Sequence, residues 1–240
     1  MVVWMGRPQV LIVQHTATGG PRRLGDWLLE EGLDLDVATP YDGTPLPDLL
    51  SHDAIVVLGG GFMPDDDMRA PWLPQTRTLV RQALDHSVPV LGICLGGQLL
   101  AHVAGGTVRS NAGAPEHGST PIRLRSAAGR DPLLRDLPPV VPAIEHHVDA
   151  ITRLPPAAIW LASSDRCPHQ AFRVGPVAWG VQFHPEVEAE RIRHWDADRL
   201  RRQGFDRDRL YAQAQAEEPT SAEHWRAVIG RFAAQIRRSG

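Results

Sequence analysis

The sequence has few cysteines, no long apolar run and almost no net charge, and each of these properties disfavours some class of protein. Two cysteines, Cys94 and Cys167, offer at most one disulfide, which favours a reducing compartment. A formal net charge of −3 provides no broad attraction to nucleic acid or to a membrane surface. No apolar run could span a bilayer, and Arg7 and Pro8 interrupt the short apolar start. We expect a cytoplasmic protein without nucleic-acid or membrane partners.

Motifs for metals and nucleotides are also missing. The chain has no helical His-Glu-x-x-His string and no paired Cys-x-x-Cys strings. The pair His146-His147 could ligate a metal with His117 or His169, but nothing in the sequence fixes their separations. The sequence therefore predicts neither a metal nor a cofactor.

A cysteine flanked by glycines is the first positive signal. The apolar run before Cys94 predicts a buried strand, and the residues after it follow helical spacing, so Cys94 lies on the turn between them. Gly92 and Gly96, two positions away on either side, allow strand and helix to pack closely. The helix directs its free N–H groups towards the sulfur, which favours the thiolate. The pattern predicts a nucleophile; an inert core cysteine is the alternative.

The string Val-Gln-Phe-His-Pro-Glu-Val supplies the partners that such a nucleophile needs. His184 follows a predicted strand over 177–183, and Pro185 stiffens the turn that carries Glu186. An imidazole held by a carboxylate takes up and returns protons well. His184 is therefore the candidate base and Glu186 its orienting carboxylate, although a His-Pro pair by itself could be a plain turn.

A glycine triplet follows the predicted strand over 54–58. Glycines at this point let the backbone approach a ligand and direct an N–H at a developing oxyanion. We expect Gly60 or Gly61 to supply one donor and the Leu95 N–H the other. No Gly-Lys-Ser/Thr string follows, so a phosphate-binding loop is disfavoured.

The alternation of strands and helices predicts an α/β fold with a mostly parallel sheet covered on both faces. Active sites in such sheets form beyond the carboxyl ends of the strands, where Gly60, Cys94 and His184 all fall. Between 107 and 181, short strands broken by glycine and proline predict a small antiparallel section over the site. The predicted strands cover 10–14, 33–38, 54–58 and 88–93, and the helices cover 21–31, 75–86 and 96–104.

Three arginine-rich helices are expected at the C-terminal end, over 188–203, 206–216 and 221–238. A flexible link over 217–221, which contains Pro219, would precede the last one. Interspersed aspartates favour a solvated helix face over a phosphate-binding patch for Arg191, Arg193, Arg199, Arg201 and Arg202. Apolar residues at spacings of three and four predict that the last helix docks on the sheet through Trp225, Val228, Phe232 and Ile236.

Together these strings resemble the class I (triad-type) glutamine amidotransferases. The matching strings are Gly92-Ile-Cys94-Leu-Gly96-Gly-Gln98 and Phe183-His184-Pro185-Glu186, and the resemblance covers roughly residues 8 to 190. It implies a flavodoxin-like three-layer fold and a γ-glutamyl thioester on the cysteine, with the histidine as base and acid. It also implies that Gln98 and Gly59 contact the substrate.

Within this family the sequence is most similar to the amidotransferase part of GMP synthase and its free-standing relatives. Glu116-His-Gly118 resembles a turn near the glutamine pocket, and His147-Val-Asp149 resembles a His-Gly-Asp segment, which implies that Glu116 and His147 bind substrate. The chain departs from that pattern at Pro115 and Val148, and Gly59-Gly60-Gly61-Phe62 replaces a Ser-Gly-Gly-Pro loop.

The expected function is hydrolysis of the glutamine side-chain amide through a Cys94 thioester, releasing glutamate and ammonia. We see no nucleotide-activating pattern in the 240 residues, so an ammonia acceptor would need a separate synthetase subunit. Alternatives are a free-standing hydrolase of γ-glutamyl amides or peptides and a catalytically silent regulatory subunit. We expect a single domain over 1–240, with a catalytic core over about 8–190 and a helical extension over about 188–240.

Overall fold

The computed structural model describes residues 6–239. The short apolar start of the sequence, before Arg7 and Pro8, lies almost wholly outside the described residues. Within 6–239 the chain forms a nine-stranded sheet, a separate two-stranded sheet and helices on both faces of the larger sheet. No helix in this part of the chain is long and apolar enough to cross a bilayer.

Half of the large sheet is parallel. Its strand order is β2-β1-β3-β4-β11, and each neighbouring pair is parallel. The apolar side chains of the inner strands β1, β3, β4 and β11 are buried on both faces of the sheet, whereas the edge strand β2 is largely exposed. The strands are β1 (Gln9–Val13), β2 (Asp34–Ala38), β3 (Ala54–Val57), β4 (Val90–Ile93) and β11 (Ala178–Val181).

Antiparallel strands extend the same sheet beyond β11. The order continues β10-β9-β6-β7, so the antiparallel strands predicted between 107 and 181 are present, and most of them continue the large sheet. They are β6 (Glu116–Leu124), β7 (Val140–His147), β9 (Ile159–Ser163) and β10 (Ala171–Val174). The small sheet pairs β5 (Thr107–Arg109) with β8 (Ala150–Arg153).

The helices cover the two faces of the sheet. Helices α1 (Arg22–Glu30) and α5 (Arg207–Ser239) pack on one face, and α2 (Leu73–Asp85) and α3 (Leu95–Val103) on the other. Along β1 the alternate side chains enter the two cores, as a pleated strand requires. The predicted α/β class with helices on both faces is confirmed.

Helix α5 is continuous, so the predicted break at 217–221 is wrong. A proline inside a helix costs about 3 kcal/mol, because it removes a hydrogen bond and crowds the preceding turn. Pro219 nevertheless lies within α5. The predicted apolar stripe explains this, since its four side chains are almost completely buried. Tertiary packing of the stripe outweighs the local preference of the sequence.

The segment 188–203 is not one helix either. It forms a 3₁₀ turn at Ala189–His194 and then a short helix α4 (Ala197–Arg202). Asp196 begins α4, because its side chain accepts hydrogen bonds from the backbone of Asp198 and Arg199. Aspartate is a favoured N-cap residue, but in the sequence Asp196 is only one of the interspersed charges of this segment.

Candidate active site

Cys94 lies at a sharp turn between β4 and α3. Its φ of 52° is rare for a residue with a side chain, and its N–H donates to the Val181 carbonyl at 2.8 Å. The flanking glycines are sterically required. A Cβ on Gly92 would lie 2.4 Å from the Gly96 carbonyl oxygen, and one on Gly96 would lie 1.9 Å from that of Val57. The turn thus holds the sulfur at the N-terminus of α3.

His184 and Glu186 lie on a turn that follows β11. The His184 N–H donates to the Ile144 carbonyl at 2.8 Å, and its Nδ1 is 2.7 Å from Glu186 Oε1. With Nδ1 engaged, Nε2 is the nitrogen available to the Cys94 sulfur. Burial lowers the pKa of His184, but the charges of Glu186 and the Cys94 thiolate, with their hydrogen bonds, raise that pKa well above its usual value. The arrangement favours the protonated imidazolium of His184 beside the Glu186 carboxylate.

The glycine triplet faces this pair. A Cβ on Gly59 would lie 2.9 Å from His184 Cε1 and 3.5 Å from Cys94 Cβ, so Gly59 touches both side chains. Gly60 packs against Leu95 and His15, whereas Gly61 faces open space. Leu95 begins α3, so its N–H has no acceptor within the helix. The glycine triplet thus lies beside Cys94 and His184, and the assignment of Gly60 or Gly61 and Leu95 as oxyanion donors stays a prediction.

A cavity of about 560 Å³ opens over the sulfur. Its walls include Cys94, His184, Glu186 and the glycine triplet, together with Gln98 and His147. Four arginines also line it: Arg22, Arg69, Arg191 and Arg199. The cavity lies beyond the carboxyl ends of β3, β4 and β11, where open α/β sheets bind ligands.

Comparison with known proteins assigns the family. The family model for glutamine amidotransferase class-I matches residues 28–195, well over half of the chain. The chain belongs to the class-I glutamine amidotransferases. The fold, the cysteine elbow and the His184–Glu186 pair of this amidotransferase agree with the resemblance noted in its sequence.

The curated relatives include one of the subunits of glutamine-hydrolysing GMP synthase from several archaea. The chain is 35% identical to the Haloarcula marismortui protein over 162 residues, which are 67% of this chain and 76% of that protein. It is 45% identical to the Sulfolobus acidocaldarius protein over 103 residues, 42% of this chain and 53% of that protein. The latter match thus spans only about half the relative's length.

Solved structures match over more of the chain. A glutamine amidotransferase from Thermotoga maritima is 27% identical with a TM-score of 0.85, covering 95% of this chain and 99% of that one. One from Methylobacillus flagellatus is 26% identical with a TM-score of 0.84, covering 94% of each chain. Because each match leaves only a small part of this chain uncovered, most of the C-terminal region beyond residue 195 has a counterpart in both proteins.

Behind the nucleophile, a chain of amides ties α3 to β11. Gln98 Nε2 donates to Gln182 Oε1 and to the Asp149 carbonyl, both at 3.1 Å, and Gln182 Nε2 lies 3.6 Å from Cys94 Sγ. Gln182 lies in the string around His184, but nothing in that string indicates its contact with the sulfur. Its burial beside the sulfur makes it a further candidate for holding the nucleophile in place.

Glu116 lies behind the cavity wall and does not line it. Its carboxylate accepts hydrogen bonds from Ser164 Oγ at 2.6 Å, Gln170 Nε2 at 2.8 Å and His147 Nε2 at 3.2 Å. Cys167 lies close enough to complete a three-residue cluster with metal-ligating atoms, but burial raises the pKa of its thiol above its usual range, which opposes metal binding. Glu116 therefore orients His147; its predicted contact with substrate stays a prediction.

The other histidines considered as metal ligands do not converge. His117 and His146 contact each other, with 3.0 Å between their Nδ1 atoms, whereas His147 bonds to Glu116. His169 lies elsewhere, with its Nδ1 2.9 Å from the Ile151 carbonyl. The histidine-rich metal site is thus not assembled among the described residues.

Glu145 predicts an unusual pH dependence of stability. It is fully buried, and its oxygens make no hydrogen bond among residues 6–239, although Oε2 lies 3.4 Å from His147 Nε2. Burial and the nearby Glu116 charge raise its pKa well above the ordinary 4.5. The folded state thus favours the protonated acid, and this contribution to stability falls as pH rises above 4.5 towards the folded pKa. Glu145→Gln should raise the free energy of unfolding by about 1–3 kcal/mol at pH 8.

Chemical denaturation at pH 5 and pH 8 tests this prediction. The gain should shrink at pH 5, where the unfolded glutamate is also partly protonated. Glu223→Gln, an exposed substitution on α5, should change stability little at either pH. A destabilised Glu145→Gln protein at pH 8 would show that the carboxylate is ionised and paired.

Arg23 couples the catalytic turn to α5. Its Nε donates to the Pro185 carbonyl at 2.8 Å and its Nη1 lies 3.3 Å from Glu218 Oε1. Glu218 Oε1 also accepts from the Ala189 N–H at 3.1 Å. Arg23 is buried. The proline between His184 and Glu186 is thus held by α1 and α5 together.

Arg23→Met should destabilise the fold by about 2–3 kcal/mol, because it removes the charged partner of the partly buried Glu218 carboxylate and the side-chain donor to the Pro185 carbonyl. It should also lower kcat about tenfold, since the turn loses its support. Arg226→Met is the matched control: Arg226 joins α5 to Glu30 at the end of α1 through an exposed pair, worth about 0–1 kcal/mol. Equal effects in both variants would refute a role for Arg23 in positioning the turn.

Proposed function

We propose that the chain hydrolyses the γ-amide of glutamine through a thioester on Cys94. The Cys94 thiolate attacks the amide carbon, and His184 gives its proton to the leaving nitrogen as the C–N bond breaks. His184 then takes a proton from water, which attacks the thioester and releases glutamate and the cysteine sulfur. Glu186 holds the imidazole in the orientation that both steps need.

One geometric observation carries this proposal. His184 Nδ1 is 2.7 Å from Glu186 Oε1, and the same imidazole interacts with the sulfur of a residue held at a positive φ. Strained nucleophile turns are found at catalytic sites. A silent regulatory protein, the alternative from another functional class, would have no need to maintain this strain and pairing.

The carbonyl oxygen of the substrate has donors within reach. As the tetrahedral intermediate forms, the N–H groups of Leu95 and of Gly60 or Gly61 bind the oxyanion. Gln98, His147 and Gly59 line the surrounding cavity and contact the glutamyl part. Because the triplet is open towards solvent at Gly61, it can adjust when substrate enters.

The released ammonia passes to an acceptor on a separate synthetase subunit. The archaeal relatives are each named as one subunit of GMP synthase, which supports a two-subunit arrangement for this chain in the cytoplasm. A second candidate is a free-standing γ-glutamyl hydrolase. The cavity volume supports it, because about 560 Å³ falls in the range of pockets for drug-sized ligands, which are larger than glutamine.

The test is the stoichiometry of products. Purified protein is incubated with glutamine, and glutamate and ammonia are measured in parallel, with asparagine as the shorter amide. We expect equal amounts of both products from glutamine and none from asparagine. Glu186→Gln should reduce the rate about 10²- to 10⁴-fold, because the imidazole loses its orienting carboxylate. An unchanged rate in this variant would refute the triad.

A further inference from the structure

The outer part of the cavity is larger and more cationic than glutamine requires. We use the name outer subsite for Arg22, Arg191, Arg199, His146 and Trp195, which line the same cavity as Cys94. Asp149 and Glu186 are the acids in that lining, and Glu186 is paired with His184. The side chains that line the cavity therefore carry more positive than negative charge.

The three arginines of the outer subsite form no ion pair within residues 6–239, although the charge of Arg199 acts on the Asp196 carboxylate. The neighbouring Arg193 and Arg201, by contrast, pair with Glu190 and Asp198. Burial and the charge of Arg22 lower the pKa of Arg191, and both side chains line the same cavity. Arg22 also has a positive φ, and its Nη2 donates to the Thr18 carbonyl at 2.7 Å. Strain of this kind is typical of ligand sites.

An uncharged aromatic wall lies beside the arginines. The His146 ring stacks on Trp195, with 4.0 Å between centroids and an interplanar angle of 18°. Burial, followed by the nearby His117, lowers the pKa of His146 to about 3, so the ring is neutral at pH 7. A flat apolar wall flanked by guanidinium groups suits an organic group that carries a carboxylate.

We propose that the outer subsite binds the carboxylate of the leaving group in a γ-glutamyl amino acid. Glutamine releases only ammonia, which has no carboxylate that such a subsite could bind. In a γ-glutamyl dipeptide, the α-carboxylate of the second residue meets Arg191 and Arg199, and its side chain lies along the His146–Trp195 wall. For the second candidate function, a free-standing γ-glutamyl hydrolase, the substrate class is thus the γ-glutamyl amino acids.

The reaction balances as it does for glutamine. The sulfur of Cys94 bonds to the γ-carbon, the C–N bond to the amino acid breaks, and His184 delivers its proton to that nitrogen. Water then releases glutamate. The inference rests on the proposed Cys94 chemistry, so the experiment must separate a failure of the subsite from a failure of that chemistry.

The experiment compares γ-glutamyl-alanine with γ-glutamyl-alanine amide, which lacks only the carboxylate charge, and with glutamine. In the unsubstituted protein, kcat/KM for the acid should exceed that for the amide about 10- to 100-fold, as charge-assisted hydrogen bonds predict. In Arg191→Met and Arg199→Met this preference should fall towards one. Arg202→Met, an exposed arginine on α4 outside the cavity, should keep it.

The outcomes are distinct. Hydrolysis of glutamine without a preference for the acid in the unsubstituted protein overturns the outer subsite and leaves the proposed function intact. A preference that persists in both arginine variants also overturns it. Hydrolysis of none of the three substrates refutes the Cys94 chemistry itself. Because the first comparison uses the unsubstituted protein, it does not depend on how the variants fold.

Discussion

Cys94→Ala lowers kcat for glutamine hydrolysis by about 10⁵- to 10⁶-fold, because a triad loses almost all of its rate when the nucleophile is removed. The fold should persist. Cys94 immediately precedes α3, and alanine is smaller than cysteine and needs the same backbone conformation. Glutamate release in a coupled assay measures the rate, and thermal unfolding verifies the structure.

Cys167→Ala is the matched control for this variant. Both cysteines are buried and free, but burial raises the pKa of the Cys167 thiol, so it does not act as a thiolate. It also lies outside the cavity lining. Its loss should leave kcat within about twofold of the original value. A Cys94→Ala protein that retained substantial activity would require a different nucleophile and would refute the proposed mechanism.

Gly96→Ala destabilises the fold by about 4 kcal/mol or more, the largest effect on stability that we expect from adding one methyl group. The added Cβ would lie 1.9 Å from the Val57 carbonyl oxygen and 2.7 Å from its carbon. Both belong to the backbone of β3, which cannot rotate away as a side chain can. Helix α3 would have to move off the sheet, taking the Leu95 N–H with it.

Gly129→Ala provides the comparison for this substitution. Nothing lies within 4 Å of a Cβ at Gly129, and its φ is not positive, so the change should cost less than about 0.5 kcal/mol. For Gly96→Ala, the melting temperature should fall by about 10 °C or more in a chain of this size. A melting temperature within about 2 °C of the original would show that the elbow tolerates separation of α3 from β3.

Local signals were sufficient to predict the elbow and the triad. The glycines around Cys94 and the His-Pro-Glu string each satisfy a steric or chemical requirement of their immediate sequence neighbours. Both signals can therefore be recognised without knowledge of the rest of the fold. The parallel strands were predictable for a similar reason, because strands buried on both faces are apolar along their whole length.

Features that depend on distant partners were not predictable. Pro219 suggests a helix break, yet the packing of α5 on the sheet overrides it. The hydrogen bonds of the Glu116 carboxylate with Ser164 and Gln170, which lie far along the chain, also had no signal in the sequence. Arg23 carried no signal at all, since its role arises only when α1, α5 and the catalytic turn meet.

The charged C-terminal segment shows the same limit. Its mixed charges predicted a solvated face, and the exposed pair of Arg201 with Asp198 agrees with that prediction. Arg191, which is half-buried, and Arg199, which is exposed, also line the cavity. The spacing of charges along the segment does not reveal which arginines line the cavity, because the turn that ends at Trp195 determines which side chains face it.

The most direct test of the account is the mass of the intact protein during turnover. Protein mixed with glutamine and quenched in acid within one turnover should carry one added glutamyl group, and peptide mapping should locate it on Cys94 as a hydroxylamine-sensitive thioester. Cys167→Ala should carry the same adduct and Cys94→Ala none. Glutamate release with no covalent adduct, or with the adduct on another residue, would contradict the proposed mechanism.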